Sequence, residues 1–287
     1  METKKQQPNQ KPRSKGVSAF LVVIGCALVG HFFFYAVAGA GSGNVLDILG
    51  LDTNFVEVGG KLRPLNGNTL GTLFEGGFVI PIVITLLLTV FVLSVERFFA
   101  LNRASGKGST AKFVMNAKAK LEAGDVAGAS KLCDDQKGSV ANILKAGLIR
   151  YSDVEKIEGI HNDEKAAMIQ KEIEEATTLE LPYLQQNLSV IATISTLGTL
   201  MGLFGTVLGM IKSFSAMGQE GAPDSTALAV GISEALMNTA MGIGTGAVAI
   251  ISYSFFSGKV EDITNAVDEV GFAIGQTYTT THGGLSK

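Results

Sequence analysis

The segment Ala229–Ser252, AVGISEALMNTAMGIGTGAVAIIS, is long enough to cross a bilayer yet holds one charged side chain, Glu234. About 20 predominantly apolar residues suffice for a crossing, and a helix satisfies its own backbone in lipid. Reading this segment as a membrane helix decides the fold class, because three further runs share its pattern. They are Val17–Ala40, the run from Gly76 that is free of charge up to Val95, and Leu188–Ile211. Hydrophobic residues make up 46% of the 287-residue chain and charged residues 17%. The expected fold is all-α: a polytopic membrane protein whose long transmembrane helices extend into a cytoplasmic helical bundle.

Charge sets the orientation. Lys4, Lys5, Lys11, Arg13 and Lys15 precede the first run, and Arg97, Arg103, Lys107 and Lys112 follow the second. Between the two runs, Asp47, Asp52, Glu57 and Glu75 outweigh Lys61 and Arg63. The positive-inside rule puts the tail and the long polar region in the cytoplasm. Ala36-Val37-Ala38 fits a signal-cleavage pattern, but the apolar run exceeds a usual signal core, so an uncleaved anchor is favoured. The chain then divides into a basic tail (1–16), a first transmembrane helix (17–38), a periplasmic loop (39–75) and a second helix (76–99). A cytoplasmic helical region (100–183), a third helix (184–214), a short outer loop (215–225), a fourth helix (226–256) and a cytoplasmic C-terminal helix and tail (257–287) follow. Both termini are cytoplasmic in this reading. The outer loop as far as Leu73 reads as irregular.

Within the polar region, Gly124 breaks one helical pattern, and the charged stretch from Asn162 is expected to enter the third run through a bend near Pro182. Val260, Ile263, Val267, Val270 and Ile274 share one helical face, so the fourth membrane helix is expected to continue into the tail.

The net charge of −3 provides no global basic field, and no basic stretch is interleaved with aromatics, so nucleic acid is not an expected partner. Cys26 and Cys133 lie in unlike settings, and His31, His161 and His282 are scattered, so neither a disulfide nor a metal site is expected. No Walker A sequence, zinc motif or nucleophile elbow is present, so the chain reads as no enzyme and as needing no cofactor.

The third run carries Gly198, Gly202, Gly205 and Gly209, and the fourth Gly242 and Gly246. Small residues at such spacing let helix backbones approach closely in lipid, either within a subunit or between subunits. Thr193, Ser195, Thr196, Thr199, Thr206, Thr239 and Thr245 add hydroxyls to the same two runs. A carboxylate near the bilayer centre costs about 3 kcal/mol on insertion scales. Glu234 therefore needs a cation, a proton or water. Lys212, at the outer end of the third run, is the nearby cation, and a structural Glu234–Lys212 pair is the plainer reading. The functional reading is an ion- or proton-handling group, with Asn238, Met241 and Thr245 along the same face.

GLFGTVLGMIKSF (Gly202–Phe214) followed by VGISEALMNTAMGIGTGAVAI (Val230–Ile250) resembles the paired signature of the ExbB/TolQ proton-channel family, whose more distant relatives include MotA. LEAGDVAGASKLC, VANILKAGLIRY and the stretch from Glu164 to Ser195 resemble the family's cytoplasmic helices and their entry into the membrane. The likeness runs from about Gly76 to the C-terminus and is nearest to ExbB, the motor subunit of the TonB system. It implies a homo-oligomeric ring, a pentamer, in the bacterial inner membrane around an ExbD/TolR-like single-helix partner. Proton flow through that ring would do work on a TonB-like protein. The family's pore glutamate falls on Glu234 and its two pore threonines on Thr206 and Thr239, while the partner's membrane aspartate would be the main proton carrier. Two features depart from the family. The N-terminal helix is extra, and Asn238 stands where a small apolar residue is usual, placed to hydrogen-bond Glu234 or its counterpart in a neighbour. The alternatives are a TolQ-like envelope-maintenance motor, a sodium-driven or gliding- or secretion-type motor, and a non-conducting membrane scaffold.

Overall fold

The computed structural model describes residues 18–38, 55–58, 61–64, 69–218 and 225–282. The basic tail, much of the outer loop and the 219–224 connection lie outside the described residues. Among the described residues nine α-helices carry the fold: α1 (Ala19–Phe32), α2 (Thr69–Glu75), α3 (Val79–Ser105), α4 (Thr110–Glu122), α5 (Val126–Gln136), α6 (Gly138–Glu155), α7 (Asn162–Gln185), α8 (Leu188–Met217) and α9 (Ser225–His282). A π-helical turn, Phe33–Ala38, extends α1. Four helical segments are long and apolar enough to cross a membrane, containing α1, α3, α8 and α9, and the chain is a multi-pass membrane protein.

Part of the 39–75 segment, expected to be irregular, carries regular structure. Strands β1 (Phe55–Val58) and β2 (Lys61–Pro64) pair antiparallel with Val58 opposite Lys61, and α2 follows.

Helix α9 runs unbroken for 58 residues, from the apolar segment that pairs with α8 into the helical bundle formed with α4, α6 and α7. Its inner half places Val260, Ile263, Val267, Val270 and Ile274 in the bundle core, as the periodicity predicted. They pack with α4 and α6–α7, where Leu121, Ile143, Leu148 and Ile169 are almost fully buried. At the inner edge of the membrane-spanning part, the Lys259 ammonium lies 5.6 Å from the Phe98 ring and 5.2 Å from the Phe255 ring. Cation–π attraction of this kind suits an interface where one end of the site is apolar and the other wet.

Cys133 is buried, and its thiol, which donates to the Ala129 carbonyl, is pushed up to about 12 by burial. The folded chain therefore holds that proton more tightly than the unfolded chain, so stability is lost as pH climbs from 9.0 towards 12. Tyr151 and Tyr278 are also pushed up, by burial first and Glu155 second, from a starting value of 10.0. Their losses begin later. The expected result is that Cys133→Ala delays the onset of the alkaline fall in thermal midpoint from near pH 9.0 to near pH 10.0.

The helix break before α8 falls at Asn187, beyond the expected bend at Pro182. Pro182 stays inside α7, and the chain turns where Asn187 takes φ 62°, a left-handed conformation that asparagine tolerates better than most residues. A side-chain clamp from α3 holds the break. Arg97, fully buried, donates to the Tyr183 carbonyl in the last turn of α7 at 3.2 Å. Its Nε lies 2.6 Å from Glu96 Oε2, which also accepts from Asn187 Nδ2 at 3.3 Å. A cation at a helix C-terminus meets carbonyls that the helix itself leaves unpaired. Arg97→Met is expected to cost about 2 kcal/mol, measured as a fall in denaturant midpoint, because it strips a partly buried carboxylate of its partner.

Candidate functional site

Helices α8 and α9 lie antiparallel with their backbones in direct contact, and the glycines make that possible. A Cβ on Gly242 would sit 2.5 Å from Gly202 Cα, and one on Gly246 would sit 2.8 Å from the Ser195 carbonyl. Gly198 faces Gly246 and Thr245, and Gly209 faces Ala235 and Gly231. All these partners belong to the same chain. The structure thus assigns the six glycines to packing within the subunit, which leaves the outer faces of both helices free for other contacts.

In this tight pair the hydroxyls collect. Thr206 Oγ1 hydrogen-bonds Thr239 Oγ1. A backbone carbonyl also lies within reach of each, Gly202 at 3.1 Å from Thr206 and Ala235 at 3.2 Å from Thr239, so one hydroxyl proton serves the bond between the threonines and the other a carbonyl. The two threonines singled out in the sequence are therefore brought together across the helix pair.

Glu234 lies towards the outer end. Its side chain is 12% exposed, and its Oε2 is 2.6 Å from the ammonium of Lys212, whose own side chain is 63% exposed. The Lys212–Glu234 pair considered from the sequence is present. Its carboxylate is largely covered while its cation is mostly in the open.

Asn238 departs from expectation. Its side chain is buried at 1% exposure, turned towards α8 into the notch left by Gly205. Its Oδ1 has no hydrogen-bond partner, so it does not bridge to Glu234 through that atom. A Cβ on Gly205 would lie 2.5 Å from Asn238 Cβ, which explains why the amide turns inward: that notch is the space available to it. Thr245 Oγ1, two turns along, is likewise buried without a partner. Buried polar atoms of this kind usually bind an ordered water.

Sequence reasoning missed Ser213 and Gly77. Ser213 is fully buried, donating to Gly209 at 3.0 Å and reaching the Leu228 carbonyl at 3.4 Å, so it ties the outer ends of α8 and α9 together. Gly77, in the turn before α3, lies beside the Glu234 carboxylate, which would occupy the space of a Cβ there. Nothing local marks that contact, since the two residues are far apart in sequence.

Residues 135–269 match the model of the MotA/TolQ/ExbB proton channel family. This region belongs to that family. The match takes in α6, α7, α8 and most of α9, and so includes Thr206, Glu234 and Thr239. The Tol-Pal system protein TolQ of Pseudomonas aeruginosa is 30% identical over 44% of this chain and 55% of its own length. A putative biopolymer transport protein, ExbB-like 3, of Synechocystis is 38% identical over 29% of this chain and 41% of its own. A putative ExbB homolog of Methanothermobacter thermautotrophicus is 23% identical over 70% of this chain and 68% of its own. The chain therefore spans about half the length of the first two relatives. The resemblance read from the paired signature agrees with the family found here. The family is one of proton channels, not of enzymes.

Proposed function

We propose that this chain is the ring-forming subunit of a proton-driven motor in the bacterial inner membrane, working with an ExbD/TolR-like single-helix partner. The observation that carries the reading is Glu234, a covered carboxylate on α9 within the proton-channel family region whose ion-pair partner among the described residues is an exposed lysine. Thr206 and Thr239 continue the polar lining inward from it. Unused apolar faces support a ring. Leu200, Leu203, Val207 and Ile211 on α8, and Leu236, Ile243 and Ile250 on α9, are exposed in the single chain. In the proposed pentamer they face lipid and neighbouring subunits. Proton is the proposed ion, with no cofactor, and both chain termini lie in the cytoplasm. Each charge crossing 100 mV yields about 2.3 kcal/mol, so several protons per cycle supply a substantial conformational step.

The work proposed is TonB-dependent transport across the outer membrane. A TolQ-like role in envelope maintenance is the second reading, favoured by the 30% identity to a TolQ protein. Deleting the gene in its host separates the two. Loss of energised outer-membrane uptake with an intact envelope supports the TonB reading, and envelope leakage with normal uptake supports the TolQ reading. Uptake that survives a protonophore but fails without sodium replaces the proton by sodium. No change in either process refutes the motor.

A further inference from the structure

The turn between α2 and α3, outside the family region in sequence, reaches the site through one glycine. Gly77 takes φ +70°, a left-handed conformation, in the turn between α2 and α3. A side-chain carbon there would sit 2.5 Å from Glu234 Oε1 and 3.5 Å from the carboxyl carbon. The other oxygen, Oε2, is the one held by Lys212. The carboxylate is thus confined between an ammonium on one side and bare backbone on the other.

What places that backbone is the N-terminal unit. Gly76 and Gly77 donate to the carbonyls of Leu73 and Phe74, which close α2 into the turn. Phe74 stacks on Phe34 of the π-helical turn at 4.9 Å, and Phe34 is 2% exposed. The same cluster holds Ile80 and Ile84 of α3, with Met237 and Met241 of α9 packed against it. Further along, Gly30 of α1 closes on Thr85 of α3, where a Cβ would lie 2.9 Å from the threonine hydroxyl. The extra helix is therefore joined through Phe34 and Phe74 to a turn that touches Glu234, and through the two methionines to the helix that carries it.

We infer that Gly77 is a positioning residue for Glu234, and that α1, the π-helical turn and α2 form a built-in seat that holds the carboxylate towards Lys212. This rests on the proposed role of Glu234 as the ion-handling group. It gives the extra N-terminal helix a task that a plain membrane anchor lacks. A glycine supplies both requirements of the turn, the left-handed backbone and the absent Cβ.

Zero-length coupling of the full chain in membranes reads the geometry directly. A water-soluble carbodiimide activates the Glu234 carboxyl, the Lys212 amine displaces it as the urea, and the amide is found as a cross-linked peptide by mass spectrometry. The wild type is expected to form it. Gly77→Ala is expected to lower the yield about tenfold, since reacting groups lose rate steeply with small misplacement. Phe34→Ala, which loosens the seat and leaves both partners intact, is expected to lower it in the same direction. Gly159→Ala, also at positive φ but with open space around it, controls for backbone strain and should leave the yield unchanged. Gly77→Ala combined with Glu234→Asp, one methylene shorter, should recover it. No amide in the wild type, or an undiminished yield in whichever of Gly77→Ala and Phe34→Ala retains wild-type elution, overturns the inference. Because this readout is independent of ion flux, a failed flux test of Glu234 leaves it standing, and its failure leaves the proposed motor standing.

Discussion

Gly242→Leu is expected to leave almost no folded protein in detergent extracts. A Cβ at this position would meet Gly202 Cα at 2.5 Å and the Gly198 carbonyl at 2.7 Å. Both are backbone atoms, so no side chain can swing aside. The helices must part along their length, and that separates the Thr206–Thr239 pair and the Ser213 contact together. Overpacking a well-filled core costs about 1–3 kcal/mol when side chains can adjust. Here they cannot, and a loss above about 3 kcal/mol is expected. Gly258→Ala is the matched comparison on the same helix. Nothing lies within 4 Å of the position its Cβ would take, and relief of glycine's backbone entropy should leave it neutral or stabilised by about 0.5–1 kcal/mol. Thermal aggregation midpoints of the two variants measure the contrast. Equal midpoints contradict backbone-to-backbone packing of α8 on α9.

Glu234→Gln is expected to abolish energised transport while the complex remains assembled at wild-type levels. Glutamine keeps the size of the side chain and can still donate to or accept from its neighbours, but it cannot take up and release a proton. Loss of a proton-transfer group typically costs about 10²-fold or more in rate. The pair with Lys212 is worth little to folding, because Lys212 is 63% exposed and its attraction is screened. A scaffold reading predicts the reverse order of effects: assembly falls first, and transport falls only in proportion. Lys212→Gln sharpens the contrast. In the motor reading it changes the rate without abolishing transport, whereas in the scaffold reading it matches Glu234→Gln. Transport assayed in cells, beside blue-native gels of the same membranes, distinguishes the two.

Much of the architecture was legible because membranes simplify the code. Long apolar runs, charge-free except for Glu234 on α9, marked α1, α3, α8 and the first half of α9. The spacing of Val260, Ile263, Val267, Val270 and Ile274 then carried α9 into the bundle, where those side chains are buried. Glycines four apart announced a close helix pair, though spacing alone did not say whether the partner helix lay in the same subunit. The break at Asn187 was missed because proline is the stronger local signal. Its cause is tertiary, an arginine and a glutamate on α3 that cap and hold the end of α7. The short hairpin was missed because its four-residue strands carry too little alternation to stand out beside the glycines around them.

The site divides in the same way. Lys212 and Glu234 were readable as a pair because each is the lone charge near the outer end of its helix. Thr206 and Thr239 were found through the family resemblance, and their bond across α8 and α9 follows from the glycine packing. Asn238 was read as a companion of Glu234 because they lie one turn apart on α9. The space at Gly205 draws it inward instead. Gly77 carried no signal of its function, since its role depends on a contact between the start of α3 and the middle of the outer half of α9.

Proton flux into sodium-free liposomes under an imposed pH gradient tests the central claim most directly. The chain is reconstituted with the proposed single-helix partner, and wild type is compared with Glu234→Gln at equal amounts of assembled complex. Flux that requires the partner and is lost in Glu234→Gln is the expected result. Equal flux in the two complexes, or no partner-dependent flux in the wild type, would contradict it.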